Sequence, residues 1–252
     1  MNKLFVIATP IGNLKEANQL LIETLENVDI LFCEDTRVSI NLLKLLNIKN
    51  YPKLISYHKF NEHQKLNECM DLIYKNKCGL ISDAGYPSIS DPGFNLIKEC
   101  HHNNIKIEVI NGTSSVMHAI TQSGLCSSGF VFIGFVDKNK SQIIKQLNHA
   151  LSINLPVVFF ESVHRINQLI ELLKKEFSDH LVYIGRELTK KFETYTLSKA
   201  SELVSQVEKG EFCLVINPLN ANVISQYNIK QVMDEIKELT DIYNNFRKIG
   251  NK

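Results

Sequence analysis

The residues able to do chemistry gather in short loops where apolar runs end. The longest such loop is Ser82-Asp83-Ala84-Gly85-Tyr86-Pro87-Ser88-Ile89-Ser90-Asp91-Pro92-Gly93. Its Gly, Pro, Ser and Asp content fixes backbone amides and carbonyls in set directions. Such groups suit the polar parts of a nucleoside or amino-acid ligand; a self-packed surface loop is the alternative reading. Thr9-Pro10-Ile11-Gly12-Asn13 and Asn111-Gly112-Thr113-Ser114-Ser115 are smaller versions, readable as ligand nests or as plain turns and helix caps. Glu34-Asp35-Thr36-Arg37 puts two carboxylates and a cation at one strand end. Asp35 or Thr36 there could cap a helix, and Arg37 could hold a phosphate. Glu161-Ser162-Val163-His164-Arg165 and Arg186-Glu187-Leu188-Thr189-Lys190-Lys191-Phe192-Glu193 are charged clusters that suit either a site or a solvated face. Lys209-Gly210-Glu211-Phe212 reads as a turn into a strand.

Several function classes are excluded or disfavoured. The chain has no GxGxxG dinucleotide fingerprint, no GxxxxGK[ST] phosphate loop and no GxSxG nucleophile elbow. None of its six cysteines forms a CxxC pair, and His101-His102 lacks a ligand-like spacing, so neither a metal site nor a disulfide framework is expected. The net charge is +1, so any nucleic-acid contact must come from local clusters. Residues 1–9 are too short an apolar run for a secretory signal, and no stretch approaches a membrane span of roughly 18 apolar residues. A soluble, cytoplasmic protein is the expectation.

These loops need elements to hold them. Residues 3–9, 28–33, 53–57, 78–82 and 105–110 read as strands, and helices are expected between them over 15–27, 36–46, up to 75, and from 92. The first helix is expected to bury Leu20, Leu21 and Leu25. After a helix at 114–123, strands follow at 130–135, 155–161, 180–185 and 212–217. Strands alternating with helices imply an α/β fold with mixed, mostly parallel sheets flanked by helices. The composition divides as an N-terminal α/β domain over 1–114, a C-terminal α/β domain over 115–220, and a short helical tail over 221–252. In that tail 229–247 reads as an amphipathic helix with Val232, Ile236 and Leu239 on one face.

In order along the chain, ATPIGNL (8–14), EDTR (34–37), SDAGYPSISDPG (82–93), SGLCSSGFVFIGF (123–135), ESVHRI (161–166) and RELTKKFE (186–193) resemble the tetrapyrrole methylase superfamily, over residues 3 to about 217. EDTR and SDAGYPSISDPG are closest to its branch that methylates a cytidine ribose 2′-hydroxyl in the decoding region of 16S rRNA. The chain departs from that pattern at Asn111, Thr113 and Val163, where the branch usually has Pro, and its C-terminal tail is short.

The resemblance implies S-adenosylmethionine as cofactor, in a cleft between two domains. It implies contacts from Pro10, Asp83, Ala84, Gly85, Gly112, Ser114 and Ser115, with Phe160 and Phe212 against the adenine. It also implies 16S rRNA in the small ribosomal subunit as partner and a homodimer, while the expected absence of metal and membrane rests on the spacing and hydropathy above. A ribose hydroxyl needs a proton acceptor. The candidates are Glu187 and Lys190, then Asp35 and Glu161, with Lys190 expected to lose its proton readily beside Arg186 and Lys191. Arg37, Arg165, Arg186, Lys190 and Lys191 are the expected phosphate contacts, and Tyr86 an expected stacking residue. A methyltransferase of the same fold acting on a tetrapyrrole or a protein, and a binding module without catalysis, are the alternative functions.

Overall fold

The computed structural model describes residues 3–219, which build two five-stranded sheets. The first holds β1 (Lys3–Ile7), β2 (Ile30–Cys33), β3 (Lys53–Ser56), β4 (Cys78–Ile81) and β5 (Lys106–Ile110) in the order β3-β2-β4-β1-β5. Every pairing is parallel. Helices α1 (Gln19–Asn27), α2 (Thr36–Leu45), α3 (Glu62–Lys75) and α4 (Phe94–His102) make the return crossings. The chain moves toward β3 through α1 and α2, then back toward β5 through α3 and α4. Right-handed crossovers in opposite directions place helices on opposite faces of a sheet. Accordingly, Leu21, Leu25 and Leu43 pack with Ile7, Leu31 and Ile81, whereas Met70, Ile73 and Leu96 pack with Leu4, Phe32 and Leu80. Covered on both sides, β2 and β4 are buried at every position, which is why they read as unbroken apolar runs.

The first helix starts later than its periodicity suggests. The Oδ1 of Asn18 accepts from Leu21 N at 2.8 Å and caps α1, while Leu14–Glu16 form a separate 3-10 turn. Leu20 consequently faces solvent, and only Leu21 and Leu25 of the expected trio are buried.

The second sheet holds β6 (Val131–Phe135), β7 (Val157–Glu161), β8 (Leu181–Arg186), β9 (Thr194–Lys199) and β10 (Phe212–Ile216) in the order β6-β7-β10-β8-β9. Only β6 and β7 pair in parallel; β7–β10, β10–β8 and β8–β9 are antiparallel. Helices α6 (Lys140–Leu151) and α7 (Ile166–Glu176) cover one face against Phe212, Leu214 and Ile216. Helix α5 (Ser115–Ser123) covers the other against Cys213 and Val215. This split is the period-two alternation of one strand. So α5 already belongs to the second sheet, and the chain changes sheets at residues 111–114. Strand β9 has no counterpart among the expected elements, since its side chains are mostly exposed and leave no apolar run.

All six cysteines are free thiols, and five are buried. Burial pushes Cys69, Cys78 and Cys213 up to about 12 and Cys100 to about 11. No helix among the described residues is long and apolar enough to cross a membrane. The proposed helix at 229–247 lies outside the described residues.

Candidate active site

Parallel strands deliver all their following loops to one end of a sheet. At that end of the first sheet the loops are tied together. Thr9, fully buried, exchanges two backbone hydrogen bonds with Gly85, at 2.9 and 3.1 Å. The Tyr86 hydroxyl accepts from Gly112 N at 3.2 Å and so joins residues 82–93 to residues 111–115. Ile11 N donates to Thr113 Oγ1 at 3.3 Å. Loop 82–93 is bent by left-handed backbone at Ser88 (φ 68°) and Ser90 (φ 69°). Such conformations cost roughly 1–3 kcal/mol each and tend to persist where function needs the shape.

The second sheet reaches the same place differently. Because β10 runs antiparallel to both β7 and β8, its first residue sits opposite their last ones. Phe212 pairs with Glu161 on one side and Arg186 on the other. The segments 161–165, 186–190 and 209–212, far apart in sequence, therefore share one edge.

Loops of the two sheets approach each other closely at several points. Asn13 N donates to Thr189 Oγ1 at 3.2 Å, and beside it a Cβ on Gly12 would stand 2.3 Å from Lys190 Cγ, so this approach requires glycine. Elsewhere, Ser90 Oγ lies 3.0 Å from the Cβ position of Gly134 in β6. A cleft of about 600 Å³ is lined from both sheets, a size that suits a small organic ligand. One wall is aromatic: Phe132, Phe135 and Phe160, with the Phe132 and Phe160 rings 5.1 Å apart edge to face; Phe212 borders the cleft, and its ring packs mainly into the core under α6 and α7. The other wall carries Glu34, Asp83 and Asp91. Burial pushes all three carboxyls above the usual carboxylate range, with repulsion from Asp83 adding to it at Glu34 and Asp91 and repulsion from Asp35 adding to it at Asp83. Ser114 and Ser115, at the start of α5, lie between these walls, and the Ser114 side chain caps that helix by accepting from Met117 N.

Asp83, Ala84, Gly85, Tyr86, Ser114, Ser115, Phe160, Glu161 and Phe212 are thus brought together in one cleft. Pro10 is beside it, next to the lining residue Ile11. Gly112 lines an adjoining recess with Glu16, His118 and Gln122. Its bare Cα is needed because a Cβ would stand 2.8 Å from Ala8 O.

Other expected residues have different partners. Asp35 caps α2, and its hydrogen bonds from Arg37 hold its carboxyl down at about 2, so it is a poor proton acceptor. The Arg37 side chain, though paired with Asp35 at 2.6 Å, is 89% exposed. The Arg165 guanidinium is committed to Glu161 at 2.7 Å, to the carbonyls of Val136 and Asp137, and to Ser162 Oγ. It buttresses a buried carboxylate, which corrects its expected place as a phosphate contact. Burial nevertheless outweighs this pairing and raises the Glu161 carboxyl. Arg186 Nε donates to Lys209 O at 2.7 Å, and Lys191 is exposed with its ammonium 5.5 Å over the Phe192 ring.

Lys190 needs a second correction. Its close partners are carboxylates, Glu187 at 2.9 Å and Glu211 at 2.8 Å, rather than the neighbouring cations. Burial alone would lower its proton affinity, but these two ion pairs win and raise it. Lys190 is an ammonium clamp. Glu187, in left-handed backbone (φ 53°), also accepts from Glu211 N at 3.1 Å.

Three cleft-lining carboxylates were not among the expected site residues: Glu34, Asp91 and Glu211. Glu34 was legible in principle. Once Asp35 is taken by the helix cap, its neighbour is the carboxylate left for the cleft. Glu211 was not, since a strand start faces the ligand only if the strand is antiparallel.

A sequence model of the family described as Tetrapyrrole (Corrin/Porphyrin) Methylases matches residues 3–204. The ribosomal RNA small subunit methyltransferase I of Mycoplasma pneumoniae is 39% identical over 246 residues, covering 96% of this chain and 89% of that protein. The protein of the same name from Thermotoga maritima is 35% identical, covering 86% and 99%. Among solved structures, the methyltransferase CobJ superposes with a TM-score of 0.66 at 13% identity, covering 87% of this chain and 95% of that one, a likeness of fold. The chain belongs to the tetrapyrrole methylase family and, within it, to the group of ribosomal RNA small subunit methyltransferase I proteins.

Proposed function

We propose that this protein transfers a methyl group from S-adenosylmethionine to the ribose 2′-hydroxyl of a cytidine in the decoding region of 16S rRNA. The observation that carries this reading is 39% identity across nearly the whole chain to a ribosomal RNA small subunit methyltransferase I. The cleft supports the cofactor. Its aromatic wall suits a flat adenine, and its acidic wall suits a ligand bearing sulfonium and ammonium charge. Asp83, Ala84, Gly85, Ser114 and Ser115 would hold the polar parts, Phe160 and Phe212 the adenine, with Pro10 and Gly112 shaping the loops behind them. When bound, the cofactor supplies an electrophilic methyl carbon.

The protein's part is to hold the hydroxyl in line at near-attack distance and to accept its proton. Of the four candidate acceptors, Glu161 alone lines the cleft, and burial raises its proton affinity above that of an ordinary carboxylate, which favours taking up a proton. In this reading Arg165 orients Glu161, and Lys190 with Glu187 fixes the Gly210–Phe212 turn. Residues 1–114 and 115–220 act as two domains closing on the cofactor, and a homodimer is expected to extend the RNA surface, to which Arg37, Arg186 and Lys191 contribute cations. The test is to map ribose methylation on 16S rRNA from a strain lacking the gene. One decoding-region cytidine should lose its 2′-O-methyl group and regain it on complementation; an unchanged map defeats the proposal.

A further inference from the structure

The turn after β3 was absorbed by none of the readings above, yet it presents the most exposed large apolar side chain among the described residues. Phe60 is 93% exposed. The turn is not loose. His58 N donates to Asn61 Oδ1 at 2.8 Å, Asn61 Nδ2 donates to Ser56 O at 3.2 Å, and Lys65 Nζ reaches the same carbonyl at 3.1 Å. Among the described residues the one ring beside Phe60 is that of His58, whose centroid is 6.0 Å away edge to face, so the described residues leave a flat face of Phe60 open.

The place of this turn is set by the sheet. β3 and β2 are parallel neighbours, with Ser56 beside Cys33. The turn bearing Phe60 and the segment bearing Arg37 therefore leave adjacent strands at the same end. Lys59, the preceding residue, donates from Nζ to Ser90 O at 2.6 Å, and Ser90 lines the cleft. Phe60 thus stands one residue from a group that touches the cleft wall. Arg37, with its side chain 89% exposed, lies on the same rim.

We infer that this rim seats an unpaired nucleotide of the RNA next to the reacting one, with its base stacked on Phe60 and its phosphate near Arg37. The inference rests on the proposed function and names a contact for it. A ribose can enter a cleft only if its nucleotide is splayed out, and its neighbours must then lie along the rim. Aromatic faces stack bases of any sequence, and flanking cations hold the phosphates between them. An apolar peptide or a lipid chain would use Phe60 but make no use of the exposed Arg37 guanidinium.

The test compares wild type with Phe60→Ala, Phe60→Leu and Phe60→Trp. Binding of a fluorescent single-stranded RNA is read by anisotropy, KM and kcat on small ribosomal subunits by methyl incorporation, and cofactor Kd by calorimetry. Alanine and leucine should each weaken RNA binding and raise KM by at least roughly fivefold, while tryptophan stays within about twofold. Cofactor Kd and kcat should not move. Leucine or alanine binding RNA like wild type overturns the inference. So does a loss accompanied by a smaller sedimenting species, which would assign Phe60 to contact with a second copy. Wild-type protein that leaves the ribose unmodified overturns the proposed function instead, and the anisotropy series still decides the role of Phe60.

Discussion

In the first sheet, the cleft-facing loops after β1, β2, β4 and β5 follow the carboxyl ends of parallel strands, and hydrogen bonds between the loops hold them. In the second sheet, the cleft-facing residues come from β6, from the ends of β7 and β8 and from the start of β10, and ion pairs hold the last three. Parallel topology places a site by backbone alone. Antiparallel topology brings distant segments to one edge, and their charges must then be matched. The first half should accordingly tolerate the loss of a charge, and the second should not.

The largest effect tests the acceptor on the second side. Glu161→Gln keeps the shape and removes the base, so kcat should fall by roughly a hundredfold or more with cofactor Kd little changed. A kcat near wild type would take Glu161 out of the reaction and break the link between antiparallel edge and chemistry. Next is Arg165→Ala. It strands a carboxylate whose side chain is only 1% exposed, and should lower unfolding free energy in urea by roughly 3 kcal/mol. A loss well under 1 kcal/mol would mean that Glu161 simply takes up a proton.

Gly210→Ala is aimed at the clamp. Its backbone is left-handed (φ 91°), and a Cβ would stand 2.6 Å from Glu187 Cδ. We expect a loss of roughly 1–3 kcal/mol and slower turnover, read by thermal unfolding and methyl incorporation. Unaltered turnover would detach the Lys190 cluster from the site.

The first-sheet counterparts should be mild. Glu34 has a folded pKa raised above its unfolded value. Its stabilisation is fully present below the unfolded carboxylate range and is lost as pH rises through the folded value. Glu34→Gln should therefore raise Tm slightly at pH 8, leave it unchanged at pH 3, and weaken cofactor binding. A lower Tm at pH 8 would reverse the assignment. Smallest of all is Arg37→Ala. The Arg37 side chain is itself 89% exposed, so Tm should stay nearly unchanged, while the salt dependence of RNA binding should lose about one unit of its log–log slope. An unchanged slope would remove Arg37 from the phosphate path.

Much of the fold was legible because alternation of apolar runs with 3.6-period segments encodes a parallel sheet directly, and the first five strands fall within one or two residues of expectation. The late start of α1 was not, since one asparagine cap overrides periodicity. Strand β9 was hidden because an edge strand with exposed Tyr195 and Leu197 carries no buried run. The site divided along the same line. Asp83 to Tyr86 and Ser114–Ser115 follow parallel strands, where position in the chain foretells position at the cleft. Glu211 could not be placed without the strand direction of β10, and Lys190 was misread because Glu211 meets it only through that pairing, while Glu187 is a local partner three residues away.

The buried thiols give this molecule internal clocks. A cysteine reacts as its thiolate, so residues whose thiols are pushed up to about 11 or 12 stay silent until their surroundings open. Cys69, Cys78 and Cys100 report on one core face of the first sheet. Cys213, on β10, is also part of the cleft lining. The labelling rate of each, followed in one sample by mass spectrometry, would time the opening of each sheet separately. A ligand seated in the cleft should slow the Cys213 clock more than the others.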